Sequence, residues 1–78
     1  DGCVINAWAL THSSTALHDA IKSVKFPCVE VHMSNIYSRP EIWRQKSLIA
    51  PAVIGTVQGF GETSYKSAIE LLALSIRS

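Results

Sequence analysis

The stretch Cys28-Val29-Glu30-Val31-His32-Met33-Ser34-Asn35 decides the fold. Pro27 closes whatever helix precedes it. The six residues after it are β-branched or apolar apart from Glu30 and His32, and Ser34-Asn35 end the run, which predicts a strand from Cys28 to Met33 with a loop beginning at Ser34. Upstream, Thr11-His12-Ser13-Ser14 offers capping groups. Ala16, Leu17, Ala20, Ile21 and Val24 follow at spacings of one, three and four, so a helix is predicted from about Ser14 to Val24. Before it, Cys3-Val4-Ile5-Asn6 behind a glycine turn suits a strand buried on both faces.

Downstream the pattern weakens. Pro40-Glu41-Ile42-Trp43-Arg44 forms a turn of helix with proline at its start, and Ser47 to Pro51 is irregular. Ala52 to Gln58 reads as the third strand, which leaves through Gly59-Phe60-Gly61, a turn suited to glycine. Tyr65, Ala68, Ile69, Leu72, Ala73 and Ile76 then share one side of a last helix. Strand, helix, strand, short helix, strand, helix is an α/β alternation. It implies parallel strands, right-handed crossovers and ligands beyond the strands' C-terminal ends, where Asn6 and His12, His32-Ser34-Asn35 and Gly59-Gly61 all fall. Three strands and two substantial helices leave one edge of such a sheet incomplete.

Composition narrows the function. The 78 residues are 47% hydrophobic and 17% charged, an ordinary globular balance for a single small domain. A chain this short hides about 60% of its unfolded surface, so its core calls for a partner or a staple. Seven Lys and Arg against six Asp and Glu give +1, far from the footprint of a nucleic-acid binder. No apolar run approaches the roughly 18 residues of a membrane span, so a soluble protein is expected. Cys3 and Cys28 lie in apolar runs without close spacing and read as buried small hydrophobes, a disulfide being the alternative. That usage favours a reducing compartment, the cytoplasm. The chain opens without Met or a leader, and Asp1 is not expected to be where translation starts.

Among the polar residues, Glu30 and His32 alternate onto one side of an otherwise buried strand, which is costly unless each is paired. A carboxylate two residues from an imidazole fixes its tautomer and raises its basicity, an arrangement suited to general acid–base work; a satisfied core histidine is the bland alternative. Asn6 either ties down the following turn or contacts a ligand. His12 either caps the next helix or reaches a ligand, and Asp19 reads as a solvated helix face. Arg39, Arg44 and Lys46 gather in one loop, as a solvated face or an anion or polyol clamp. A metal site built from His12, His32 and Glu30 has no recognised spacing. Gly59-x-Gly61 at a helix start is weak evidence for a phosphate cradle. Trp8, Tyr37 and Trp43 form no stacking stripe.

Read together, Asn6 to Ser14, the block Glu30-Val31-His32-Met33-Ser34-Asn35-Ile36 and Gly59-Phe60-Gly61 resemble the C-terminal half of type II 3-dehydroquinate dehydratase over essentially the whole chain. The resemblance implies a flavodoxin-like fold, a parallel sheet with helices on both faces, of which residues 1–78 are the C-terminal half. It implies trans elimination of water from 3-dehydroquinate to 3-dehydroshikimate through an enolate, with no metal or organic cofactor, in trimers that pack into a dodecamer. The same chemistry serves aromatic biosynthesis by the shikimate pathway and quinate breakdown.

On this resemblance His32 is the general acid, Glu30 orients it, and Asn6 binds a substrate hydroxyl and helps hold His32. His12 and Arg44 contact ring hydroxyls, Met33 and Ser34 meet the substrate carboxylate, and Asp19 reaches the site of a neighbouring subunit. Trp8 stands where the family usually has a small residue, His18 where Arg is common, Lys46 where His is common and Ser64 where Gly is common. The segment Arg39 to Arg44 is one residue longer than usual. The family's base, a Tyr with an Arg on a mobile N-terminal lid, has no counterpart in the sequence, nor have the first two strands. The 78 residues are therefore expected to need an N-terminal half for turnover. A non-catalytic remnant that binds another protein through its sheet edge and apolar helix faces is the alternative.

Overall fold

The computed structural model describes residues 2–77. Three strands, β1 (Cys3–Ile5), β2 (Cys28–His32) and β3 (Gly55–Gln58), alternate with two α-helices, α1 (Thr15–Ser23) and α2 (Thr63–Arg77). The strands form a parallel sheet in the order β1-β2-β3, with Ile5 opposite Glu30 and His32 opposite Gln58. The α/β alternation expected from the sequence is therefore present. Central β2 is buried along its whole length, whereas edge strand β1 is only half-buried rather than covered on both faces.

Strand periodicity divides β2 between two cores. Cys28 joins Ala7, Ile21 and Ile49 on the α1 side. Val29 and Val31 pack on the other face against Ala68 and Leu72 of α2. Val31, Ile49 and Ala68 are completely buried. Burying a Val or Ile side chain of this kind contributes about 1.5–3 kcal/mol. A larger side chain at Ala68 would lift α2 off β2. Glu30 and His32 share the α1 face with Cys28, so the sheet delivers two polar groups to the C-terminal edge of an apolar layer.

Helix α1 starts because the Ser14 hydroxyl accepts the Leu17 N–H at 2.9 Å, satisfying a donor the helix cannot. Ser14, not His12, is the cap. His12 ends a 3₁₀ turn spanning Trp8–His12, and its ring is occupied elsewhere. The third strand begins three residues later than Ala52. Pro51 favours a 3₁₀ turn over Ala50–Ala52, in which the Ala52 and Val53 N–H groups bond to Ile49 and Ala50 carbonyls at 2.9 and 3.3 Å, withdrawing them from the ladder. The helical turn expected at Pro40 forms as a 3₁₀ turn over Ile42–Gln45, and a second, unanticipated one covers Ile36–Ser38.

Along α2 the buried stripe is Ser64, Ala68 and Leu72, narrower than the apolar face in the sequence. Ile69 and Ile76 are 58% and 46% exposed. The i, i+4 stripe alone seats on the sheet. The Gly59-Phe60-Gly61 turn adopts φ of 95° and 60° at its glycines, as expected of residues without a Cβ. Its N–H groups clamp the end of β2: Gly59 donates to the His32 carbonyl at 3.2 Å and Gly61 to that of Met33 at 2.8 Å. They are therefore not free to cradle a phosphate. Among the described residues no helix is long and apolar enough to cross a membrane.

Candidate active site

At the C-terminal end of β2 the Glu30 and His32 side chains meet, with Glu30 Oε2 2.5 Å from His32 Nε2. Their side chains are 1% and 4% exposed, so water screens the contact little. Ser47 Oγ donates to the same carboxylate oxygen at 2.8 Å while accepting the Ala50 N–H at 3.0 Å. The other oxygen, Oε1, is buried without a hydrogen-bond partner. Compensation of the buried carboxylate thus rests on two donors to one oxygen. Engaging His32 through Nε2 leaves Nδ1 as the ring nitrogen available to a ligand.

His32 opens onto a cavity of about 180 Å³ walled also by Asn6, Trp8, Met33, Ser34 and Arg39. Asn6 is fixed at both ends of its amide. Its Oδ1 accepts the Trp8 N–H at 3.1 Å and its Nδ2 donates to the Tyr65 hydroxyl at 2.7 Å. The turn-tying role and the cavity position are therefore both observed for Asn6, but its bonds run to Trp8 and Tyr65 rather than to His32.

A second cavity of about 130 Å³ is walled by Trp8, His12, Arg39, Trp43 and Arg44. Trp8 and Arg39 line both. His12 Nδ1 lies 2.5 Å from the Lys46 carbonyl and Arg39 Nη1 lies 2.8 Å from His12 Nε2. A carbonyl only accepts and a guanidinium only donates, so the tautomer protonated on Nδ1 satisfies both. The Trp43 ring meets the imidazole edge-on, with centroids 5.9 Å apart. The Arg44 guanidinium donates to Glu41 at 3.2 Å, a half-exposed pair worth little stability by itself.

Six of the eight residues expected from the sequence thus wall the two adjoining cavities: Asn6, His32, Met33 and Ser34 in one, His12 and Arg44 in the other. Glu30 stands behind His32. Asp19 lies apart on the exposed side of α1, paired with His18 at 3.0 Å. Sequence reasoning passed over Ser47 and Tyr65 as members of this arrangement and named Arg39 only within a candidate clamp with Arg44 and Lys46. Arg39 was visible as part of a basic cluster, but spacing alone does not say which arginine turns inward. Tyr65 read as apolar helix face, although a partly buried tyrosine hydroxyl seeks a partner. Among the described residues no three His, Cys, Asp or Glu side chains are placed to hold a metal ion. Burial, and secondarily the neighbouring Cys3 thiol, push the Cys28 thiol above its ordinary range, and both cysteines are free.

Residues 1–73 match the family model described as dehydroquinase class II. The chain is 52% identical over 77 residues to a 3-dehydroquinate dehydratase of Gloeobacter violaceus, covering 99% of the chain and 48% of that protein. It is 51% identical to one from Clostridium perfringens, covering 100% of the chain and 53% of the relative. A type II dehydroquinase crystal structure from Butyrivibrio crossotus superposes with a TM-score of 0.90 at 42% identity, over 94% of this chain and 50% of that one. The chain spans about half the length of the curated relatives it matches. With its parallel sheet, its Glu30–His32 pair at the strand end and a family match running through residue 73, the chain belongs to the class II dehydroquinase family.

Proposed function

We propose that this chain is the C-terminal half of a type II 3-dehydroquinate dehydratase domain and supplies the acid side of the elimination. The buried Glu30–His32 pair, opening onto a cavity that Asn6, Ser34 and Arg39 also wall, carries the reading. His32, protonated at both nitrogens, donates from Nδ1 to the departing hydroxyl. As the carbon–oxygen bond of the enolate breaks, that hydroxyl leaves as water and the electrons form the conjugated enone. The Glu30 carboxylate stabilises the imidazolium and holds the ring in place. Asn6 binds a substrate hydroxyl, Met33 and Ser34 take the carboxylate, and His12 and Arg44 serve ring hydroxyls.

His12 has both nitrogens occupied, so its contact with substrate requires Arg39 to release Nε2. Removal of the α-proton belongs to an N-terminal half, which also completes the sheet beside β1. Asp19, exposed, away from the cavities and paired with His18, reaches a neighbouring subunit in trimers that build a dodecamer. Two free thiols fit a cytoplasmic enzyme. Aromatic biosynthesis and quinate breakdown use the same chemistry, and the site serves either. The names of the relatives support the dehydratase reading rather than an interaction module. The test is to supply 3-dehydroquinate to the intact protein and follow the ultraviolet absorbance of the enone. Enone formation is expected, and its absence in a folded, intact protein would reject the reading.

A further inference from the structure

Trp8 has a φ of 48°, the single positive value at a non-glycine position among the described residues. Bulky L side chains rarely occupy that region. The residue is 73% exposed, so contacts within these 78 residues do not hold it in that conformation. Its backbone is tied to the cavity wall, since Asn6 accepts the Trp8 N–H while its own amide is anchored on Tyr65. The indole walls both cavities, as does Arg39. Backbone strain held at a cavity mouth is the pattern of a residue kept for a ligand.

We propose that Trp8 is a specificity-determining residue of the candidate site, its indole forming a wall for the flat face of a cyclic carboxylate whose ring contains sp² carbons. The proposal rests on the dehydratase reading, in which the ring flattens from ketone to enolate to enone. An indole gains contact and quadrupole attraction from a flat unsaturated ring. A saturated chair, with hydroxyls standing off its mean plane, cannot lie against it as closely. Arg39, the other shared wall, offers a guanidinium to the ligand's hydroxyl edge. Trp8 therefore selects flattened rings over puckered ones.

The test is calorimetric titration of the intact protein with two probes, planar 3,4-dihydroxybenzoate and saturated quinate. Wild type, Trp8→Phe and Trp8→Gly are compared. Glycine relieves the positive φ, so that variant is expected to melt no lower than wild type. Trp8→Gly should lose about 3- to 10-fold in affinity for the planar probe, less than about 2-fold for quinate, and Trp8→Phe should keep most of the preference. Equal losses for both probes, or no loss for either, would overturn the assignment. Wild-type turnover of 3-dehydroquinate with an unchanged planar-to-puckered ratio rejects Trp8 alone. A wild type that neither binds the probes nor turns over rejects the dehydratase reading and the Trp8 assignment with it.

Discussion

Glu30 Oε2 lies 2.5 Å from His32 Nε2 in a layer where both side chains are nearly inaccessible to solvent. Taking such a pair out of water costs several kcal/mol, which hydrophobic residues of the same volume would avoid. The sheet nonetheless sets the two side by side on one face of β2, and Ser47 adds a second donor to the same oxygen. On the proposed function, what keeps the pair there is its chemistry at the cavity, since burial of this kind adds little to stability. Its consequences can be measured.

Glu30→Gln keeps shape and one hydrogen-bonding oxygen but removes the charge behind the imidazole. We expect kcat for 3-dehydroquinate to fall about 10- to 100-fold, the scale on which orienting partners of functional histidines act. KM should shift much less, because Glu30 faces His32 rather than the cavity. Steady-state kinetics with a circular dichroism check separates this from misfolding.

Ser47→Ala withdraws one of two donors from a carboxylate whose other oxygen is already unpartnered, and strips the Ala50 N–H of its acceptor. A loss of about 1–3 kcal/mol in urea unfolding is expected. A stability within experimental scatter of wild type would mean that water or a rearranged loop replaces the hydroxyl.

Gly59→Ala places a Cβ on a residue with φ of 95°, 3.5 Å from the Asn35 Cβ. The space is adequate; the backbone is the obstacle. Destabilisation of about 1–2 kcal/mol is expected. Because Gly59 donates to the His32 carbonyl, KM and kcat should suffer beyond what stability explains.

How much of this was legible in the sequence follows from what each signal measures. Polar residues at period two on an apolar strand announced Glu30 and His32, and the capping hydroxyls announced α1 to within a residue. Apolar content could not separate Ala52-Val53 from strand, because a 3₁₀ turn around Pro51 uses the same residues. Nor could it tell which side of α2 meets the sheet, since Ile69 and Ile76 are as apolar as Leu72 and yet exposed. The inward turn of Arg39 depends on His12, 27 residues away in the chain. Long-range pairings of that kind leave no local periodicity to read.

The thiols give an independent check on the α1-side core. Cys28 is buried and its thiol is held above the ordinary range by desolvation first and by Cys3 second. A thiol raised in the folded state stabilises the protein below the unfolded thiol's pKa, and that contribution is lost as pH climbs above it. Iodoacetamide at neutral pH should therefore label Cys28 far more slowly than a free thiol, and unfolding in urea should abolish the protection.

The most direct measurement is the turnover of 3-dehydroquinate by the intact protein carrying His32→Ala, with His32→Gln alongside because removing one member of a buried pair costs about 3–5 kcal/mol. The account predicts that kcat falls about 10²- to 10⁴-fold in whichever variant remains folded, while substrate still binds. A folded variant that eliminates water at the wild-type rate would contradict it.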